Sequence, residues 1–376
     1  MEIKKKLPKD HKPYTDKYFI RAKQILEAEG INPIAGMRVF ARGKGEVKGL
    51  DNAVEAITHF SDVEKTGEIW TTKDSIYKTE DTLLLIKAPI LTYVDLETLY
   101  LGIISDAITE AVGISRPDYN KIKEKFQRLK LIYGDVPITY FGARHYHWSL
   151  DKEIAQAALD GGAVQTSTDN GSSYKGMKGV GTTPHVLTLV LASIYGKDKV
   201  TLKTAELFDK YMPQDIARMT LVDTFNKEIT DSLMVARFFG KRKNFIRIDT
   251  CGENIGEGCS LYKGKKEKDP SYNLGTGVTI ELVTNVRERL IKEGYGGSIE
   301  IFLTSGFGNE DKARAFSESN DKFMQRTNYN LFCGVGVGEV CEAKFCTADI
   351  FEINGRPIYK TGREKTIDYS KLKRVV

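Results

Sequence analysis

The chain has 376 residues, of which 41% are hydrophobic and 28% charged, and its net charge is +5. That length suits one large α/β domain plus a smaller one, and so weak a basic excess excludes the dominant positive face that a nucleic-acid binder needs. The longest charge-free stretch, 179–196, holds three Gly, a Pro and a His and opens on turn residues, so no membrane span is expected.

In chain order, the basic residues 1–6 have no apolar run behind them, which argues against a secretory signal. Thr15 or Asp16 is placed to cap a helix whose Tyr18, Ala22, Ile25 and Leu26 share one face. Strand-like runs follow at 37–42 and 82–86, and 91–112 reads as a long, mostly buried helix. From Pro117 the pattern becomes an alternation. Helical segments at 119–129, 149–159, 184–195, 204–211, 226–239, 278–293 and 310–316 interleave with short apolar runs at 138–141, 163–165, 219–222, 245–248, 299–304 and 331–335. That spacing predicts βαβ units and a parallel sheet, and six or seven repeats favour a (β/α) barrel over an open sheet. After Glu339 the chain returns to β character at 347–353 and 357–360, around an Asn354-Gly355 turn. The expected organisation is an N-terminal α/β domain at 1–112, a barrel at 113–338, and a tail at 339–376 that pairs with the N-terminal segment. Lysine-rich runs at 241–243 and 263–268 read as solvated loops.

In such a barrel, sites form from the residues just past each strand. Those positions hold Gly142-Ala143-Arg144-His145, Asp223-Thr224, Asp249-Thr250, Ser305-Gly306-Phe307-Gly308 and Gly334-Val335-Gly336-Val337-Gly338. The two glycine-rich segments read as turns after the last two strands, where backbone N–H groups approach a phosphate closely. Taken singly, either is equally an ordinary turn. Each Asp-Thr pair carries two readings: a carboxylate that holds ribose hydroxyls or a Mg²⁺ on a diphosphate, or a plain helix cap. His185 follows Gly181-Thr182-Thr183-Pro184 at the start of an apolar helix, whose dipole favours a neutral, nucleophilic imidazole. A merely surface-exposed histidine fits the same position. Five unevenly placed cysteines fit a reducing cytoplasm better than a disulfide framework. Cys333, Cys341 and Cys346 cluster without the paired knuckles of a zinc site, so free thiols and no zinc are expected.

The segments Phe141-Gly142-Ala143-Arg144-His145, Gly161-Gly162, Gly181-Thr182-Thr183-Pro184-His185, Val222-Asp223-Thr224-Phe225, Arg247-Ile248-Asp249-Thr250, Ser305-Gly306 and Gly334-Val335-Gly336 follow one another after a Thr15-Asp16-Lys17-Tyr18 opening. With them the chain resembles the nicotinate phosphoribosyltransferases, especially the shorter archaeal and bacterial type, over about residues 15–360. The resemblance implies a type II phosphoribosyltransferase fold: α/β, an irregular (β/α) barrel plus a mixed α/β domain formed by the N-terminal segment and the C-terminal tail. It implies that nicotinate and phosphoribosyl pyrophosphate are joined, giving nicotinate mononucleotide and pyrophosphate, with ATP as co-substrate and Mg²⁺ accompanying both phosphate compounds. Carried over residue by residue, His185 matches the histidine that ATP phosphorylates, and Asp223 and Asp249 match acids facing the ribose and diphosphate. Thr182, Arg144 and Arg247 match nicotinate-binding positions. Phe141 and Tyr18 match the rings that sandwich the pyridine, with Tyr18 supplied by a neighbouring subunit. Ser305, Gly306, Gly308, Gly334 and Gly336 match the phosphate cradle. A cytoplasmic homodimer or larger homo-oligomer is implied, with active sites at the subunit interface and neither nucleic acid nor membrane as a partner.

The chain departs from relatives at Val337, where many have Thr, at Thr183, where Met is frequent, and at Val164, near which an acid is common. Two other readings compete: the same fold acting on quinolinate or nicotinamide, and a nucleotide-binding protein without catalysis. The Gly-Thr-x-Pro-His segment counts against quinolinate and Val164 against nicotinamide. Joint presence of Asp223, Asp249 and His185 counts against mere binding.

Overall fold

The computed structural model describes residues 6–376; residues 1–5, part of the stretch read for a secretory signal, lie outside the described residues. The first of two six-stranded sheets is antiparallel, in the order Arg356–Pro357, Cys346–Ile353, Ile34–Ala41, Thr82–Pro89, Glu68–Thr72 and Leu372–Arg374. Its strand Ile34–Ala41 is buried at every position after the first, so neither face there meets solvent. The tail pairs with the N-terminal segment at both flanks of this sheet. Between its first two strands, Asn354 (φ +48°) and Gly355 (φ +74°) make the left-handed hairpin turn that their dipeptide signals.

The second sheet is parallel throughout, in the order Gln165–Thr166, Ile138–Tyr140, Gly334–Val337, Ile299–Leu303, Asn244–Ile248 and Met219–Leu221. No ladder joins its two edge strands, so the sheet is a curled half-barrel. The segment 180–183 fills the seam: Val180 N–H donates to Thr166 O (2.9 Å) and Leu221 N–H donates to Thr183 Oγ1 (3.3 Å). Pro184 lacks an N–H and Gly181 sits at φ +142°, so this stretch cannot continue as a strand.

Helices Tyr119–Tyr133, Asp151–Asp160, Glu228–Phe239, Ile280–Lys292 and Glu310–Thr327 pack into the core around the parallel sheet. Helices His185–Tyr195 and Val200–Tyr211 instead bury Leu187, Val190, Leu191, Leu207 and Phe208 in the core shared with the antiparallel sheet. His185–Tyr195 is apolar nearly all round, which suits a helix covered on several sides.

Several elements differ from the sequence reading. The expected helix at 91–112 opens as two short turns, Ile90–Thr92 and Val94–Leu96, because Tyr93 between them takes φ −139°; the α-helix proper is Glu97–Ala111. Helix Leu50–Phe60 and strand Glu68–Thr72 had no clear signal. The helix expected at 310–316 runs to Thr327, since Phe316, Asn320 and Phe323 keep one face buried while the rest is polar. Neither Thr15 nor Asp16 caps its helix through a side chain. Thr15 Oγ1 donates to Asp95 O (2.9 Å), and Asp16 Oδ2 accepts from the Tyr18 hydroxyl (3.0 Å). The last parallel strand is Gly334–Val337, so the second glycine segment is the strand itself and not a turn after it. Among the described residues no helix is long and apolar enough to cross a membrane.

Candidate active site

A cavity of about 290 Å³ lies where the C-terminal ends of the parallel strands meet the antiparallel sheet. Ten of the thirteen residues singled out from the sequence line it: Tyr18, Phe141, Arg144, His185, Arg247, Asp249, Ser305, Gly306, Gly308 and Gly336. Thr182 is buried off its wall, Asp223 lies behind His185, and Gly334 points at Phe302 inside the sheet.

One end of the cavity is built for a ring. Tyr18 stands in the first turn of helix Lys17–Ala28, which Lys17 N–H ties to the parallel sheet through Ser167 O (2.9 Å). Phe141 follows the strand Ile138–Tyr140, and the bare Gly336 makes room for it; a Cβ there would lie 2.9 Å from the Phe141 ring. The guanidinium carbons of Arg144 and Arg247 lie 5.7 and 5.9 Å from the Tyr18 ring centroid. Tyr18 therefore reaches this cavity from its own chain, which corrects the expectation that a neighbouring subunit supplies it. Helix Lys17–Ala28 packs on the His185 helix and delivers the ring directly.

The two arginines are held differently. Arg144 pairs with Glu97 (3.1 Å) and Asp16 (3.5 Å), and burial pushes Glu97 up to about 7 against the attraction of Arg144. Arg247 donates from Nη2 to Thr183 O (3.1 Å), while its buried Nε has no hydrogen-bond partner. Arg247 lines the cavity, which places its guanidinium to meet an anion there. Val164 is exposed and off the cavity wall, so the acids near the ring come from Glu97 and Asp16.

His185 occupies the first position of its helix, with Nε2 3.0 Å from Asp223 Oδ2. Lys360 Nζ lies 2.8 Å from the same Nε2, 2.6 Å from Asp223 Oδ2 and 2.9 Å from Asp249 O. Burial and the Lys360 charge lower the His185 pKa and outweigh the pull of Asp223, which favours the neutral imidazole. Burial alone would raise Asp223, but Lys360 and His185 hold it well below the usual carboxylate range. Asp223 thus orients His185 and does not face a sugar; Asp249, beside it in the arrangement, does line the cavity. Neither Asp-Thr pair caps a helix, because the helices that follow start from Lys227 and Thr279.

The opposite end suits an anion. Ser305 and Gly306 both take φ +80°, a left-handed bend directly before the helix Glu310–Thr327, which Asn309 caps through Lys312 N–H (2.9 Å). Lys312 Nζ donates to Ser305 O (2.9 Å) from behind the bend, and burial, then the charge of Lys268, pushes it down to about 7.

Sequence reasoning missed Lys360, Glu97, Arg42 and Arg363, all of which line the cavity. Arg42 and Arg363 share Glu253 at 2.6 and 3.5 Å. Only Lys360 had a usable signal, since it ends the return segment expected after the Asn354-Gly355 turn. Among the described residues no group of three or more His, Cys, Asp or Glu is arranged to hold a metal ion, and the five cysteines are free.

No protein-family model matches the sequence. Among solved structures, the chain is similar to one from Saccharomyces cerevisiae assigned as a nicotinate phosphoribosyltransferase, at 14% identity over 94% of this chain and 93% of that one, with a TM-score of 0.65. It is similar to a nicotinate phosphoribosyltransferase from Vibrio cholerae at 13% identity, over 92% of this chain and 86% of that one, with a TM-score of 0.65. A nicotinate-nucleotide pyrophosphorylase from Pyrococcus furiosus matches at 23% identity over 97% of this chain and 82% of that one, with a TM-score of 0.47. The chain shares its fold with the first two.

Proposed function

We propose that the chain is a nicotinate phosphoribosyltransferase, joining nicotinate to phosphoribosyl pyrophosphate with release of pyrophosphate, and coupling this to ATP hydrolysis through phosphorylated His185. One observation carries the reading: a single cavity holds two aromatic faces, two arginines, a histidine and a left-handed bend of the kind that binds anions. Tyr18 and Phe141 stack the pyridine at low entropy cost, and Arg247, with Arg144, orients its carboxylate. The 5′-phosphate sits on the Ser305–Gly308 backbone with Lys312 behind it. As pyrophosphate leaves, positive charge grows on the ribose C1, and the Asp249 carboxylate is the nearby group that stabilises it. A Mg²⁺ arriving with the diphosphate needs one or two carboxylates besides its phosphates, and Asp249 fits that requirement. The ion would offset charge on the leaving group. In the coupling step the His185–phosphorus bond forms as the terminal phosphoanhydride bond of ATP breaks, and ADP leaves with the bonding pair.

The test is to incubate purified protein with phosphoribosyl pyrophosphate and nicotinate, nicotinamide or quinolinate, each with and without ATP. The expected result is mononucleotide from nicotinate, faster with ATP. Product from quinolinate alone overturns the reading, and no product from any acceptor leaves a nucleotide-binding protein. His185→Ala is expected to keep basal synthesis and lose the ATP stimulation; an unchanged ATP response removes His185 from the mechanism.

A further inference from the structure

Lys360 is buried, at 6% exposure, and its ammonium has three N–H donors. Three acceptors surround it at hydrogen-bond distance: His185 Nε2, Asp223 Oδ2 and Asp249 O. Its neighbour Thr361 fastens this part of the tail by donating N–H to Thr224 O (3.0 Å). Nε2 thus faces a donor, Lys360, and an acceptor, Asp223 Oδ2, at once; where the lysine proton bonds to it, the proton of the neutral ring sits on Nδ1. In that tautomer neither nitrogen is a nucleophile: one lone pair is occupied and the other nitrogen carries hydrogen. The other tautomer places the proton on Nε2, where it donates to Asp223 Oδ2 at 3.0 Å. Nδ1, which makes no hydrogen bond to the described residues, then offers its lone pair, on a side chain 23% exposed at the cavity wall. In that second tautomer the Lys360 hydrogens turn from Nε2 to Asp223 Oδ2 and Asp249 O.

We infer that Lys360 is a positioning residue that switches the tautomer of His185. With the ammonium on Nε2, the ring is held in its silent Nδ1–H form. A phosphate anion in the cavity draws the ammonium to itself, because a doubly charged oxygen group is a stronger acceptor than an imidazole nitrogen. Nδ1 then gives its proton to water, Nε2 takes one from water and donates it to Asp223, and the Nδ1 lone pair faces the cavity. The histidine becomes reactive only when a phosphate is present to react with. Use of this switch in phosphoryl transfer rests on the proposed function; the switch itself needs only a bound phosphate.

The experiment records two-bond ¹H–¹⁵N spectra of protein carrying ¹⁵N-histidine, with the His185 signal identified by its loss in His185→Gln. The free protein is expected to show the Nδ1–H pattern, and saturating inorganic pyrophosphate is expected to convert it to the Nε2–H pattern. Lys360→Met is expected to show Nε2–H without pyrophosphate. An Nε2–H or doubly protonated ring in the free protein overturns the inference, as does an Nδ1–H pattern that persists once calorimetry shows pyrophosphate bound. Absence of pyrophosphate binding overturns the hand-over. The two wild-type spectra decide the matter even where Lys360→Met fails to fold. Conversion without any mononucleotide synthesis would leave the switch standing and sink only the proposed function.

Discussion

The two ends of the cavity both rely on glycine, for opposite physical reasons. At the bend, Gly306 has open space around its missing Cβ and takes a φ of +80° that glycine adopts without strain. At the ring end, Gly336 lies in an extended strand, and a Cβ there would sit 2.6 Å from Thr304 Cγ2 and 2.9 Å from Phe141. One glycine supplies a backbone conformation and the other supplies volume. The ends should therefore respond to substitution in different currencies: ligand affinity where a bend is strained, and packing where a wall is crowded.

The sharpest test of this contrast lies at the ring end. On the proposed function, Arg247→Ala would remove a charge-assisted bond to the nicotinate carboxylate, worth about 1.5–3 kcal/mol, or roughly 10- to 150-fold in kcat/KM for nicotinate, and should leave the KM of phosphoribosyl pyrophosphate close to wild type. Equal losses for both substrates would merge the two ends into one. Gly336→Ala overpacks the Phe141 wall and should cost about 1–3 kcal/mol, read as a lower urea midpoint at unchanged slope, with a raised KM for nicotinate. Gly306→Ala meets no neighbour and should cost only about 1–2 kcal/mol of backbone strain, with the KM of phosphoribosyl pyrophosphate rising and that of nicotinate unchanged. A nicotinate effect from Gly306→Ala would break the division.

The smallest effect is a pH dependence confined to the ring end. Glu97 titrates at about 7 against an ordinary 4.5, so below 7 it is largely neutral and leaves Arg144 to the ligand. Above 7 its carboxylate competes for Arg144, and the nicotinate KM should rise by at most about fivefold between about pH 6 and 8. Glu97→Gln should flatten that profile. An acid with a raised folded pKa costs stability as pH climbs from 4.5 toward 7, with the full cost present above 7, and Glu97→Gln should lose that part of the decline.

Much of the bend was legible in the sequence. The Ser305-Gly306 bend follows an apolar run and precedes a helix with an Asn cap, and all three are local features. His185 at the head of an apolar helix was visible for the same reason. The ring end was only partly legible. Gly334-Val335-Gly336-Val337 was read as a turn because glycine usually marks one, whereas here close approach of Phe302, Thr304 and Phe141 imposes it on a strand. Asp223 matches a substrate-facing acid by sequence, yet burial and the Lys360 ammonium turn it into the support of His185.

The alternation of short apolar runs with amphipathic helices determined the parallel sheet, and the Asn354-Gly355 dipeptide determined the hairpin, because period and turn chemistry act over a few residues. Tertiary structure alone decided that Tyr18 enters the cavity of its own chain, that residues 180–183 fill the seam between edge strands, and that Lys360 reaches His185 across 175 positions of sequence. Each of these depends on which distant surfaces pack together, and no local spacing encodes that.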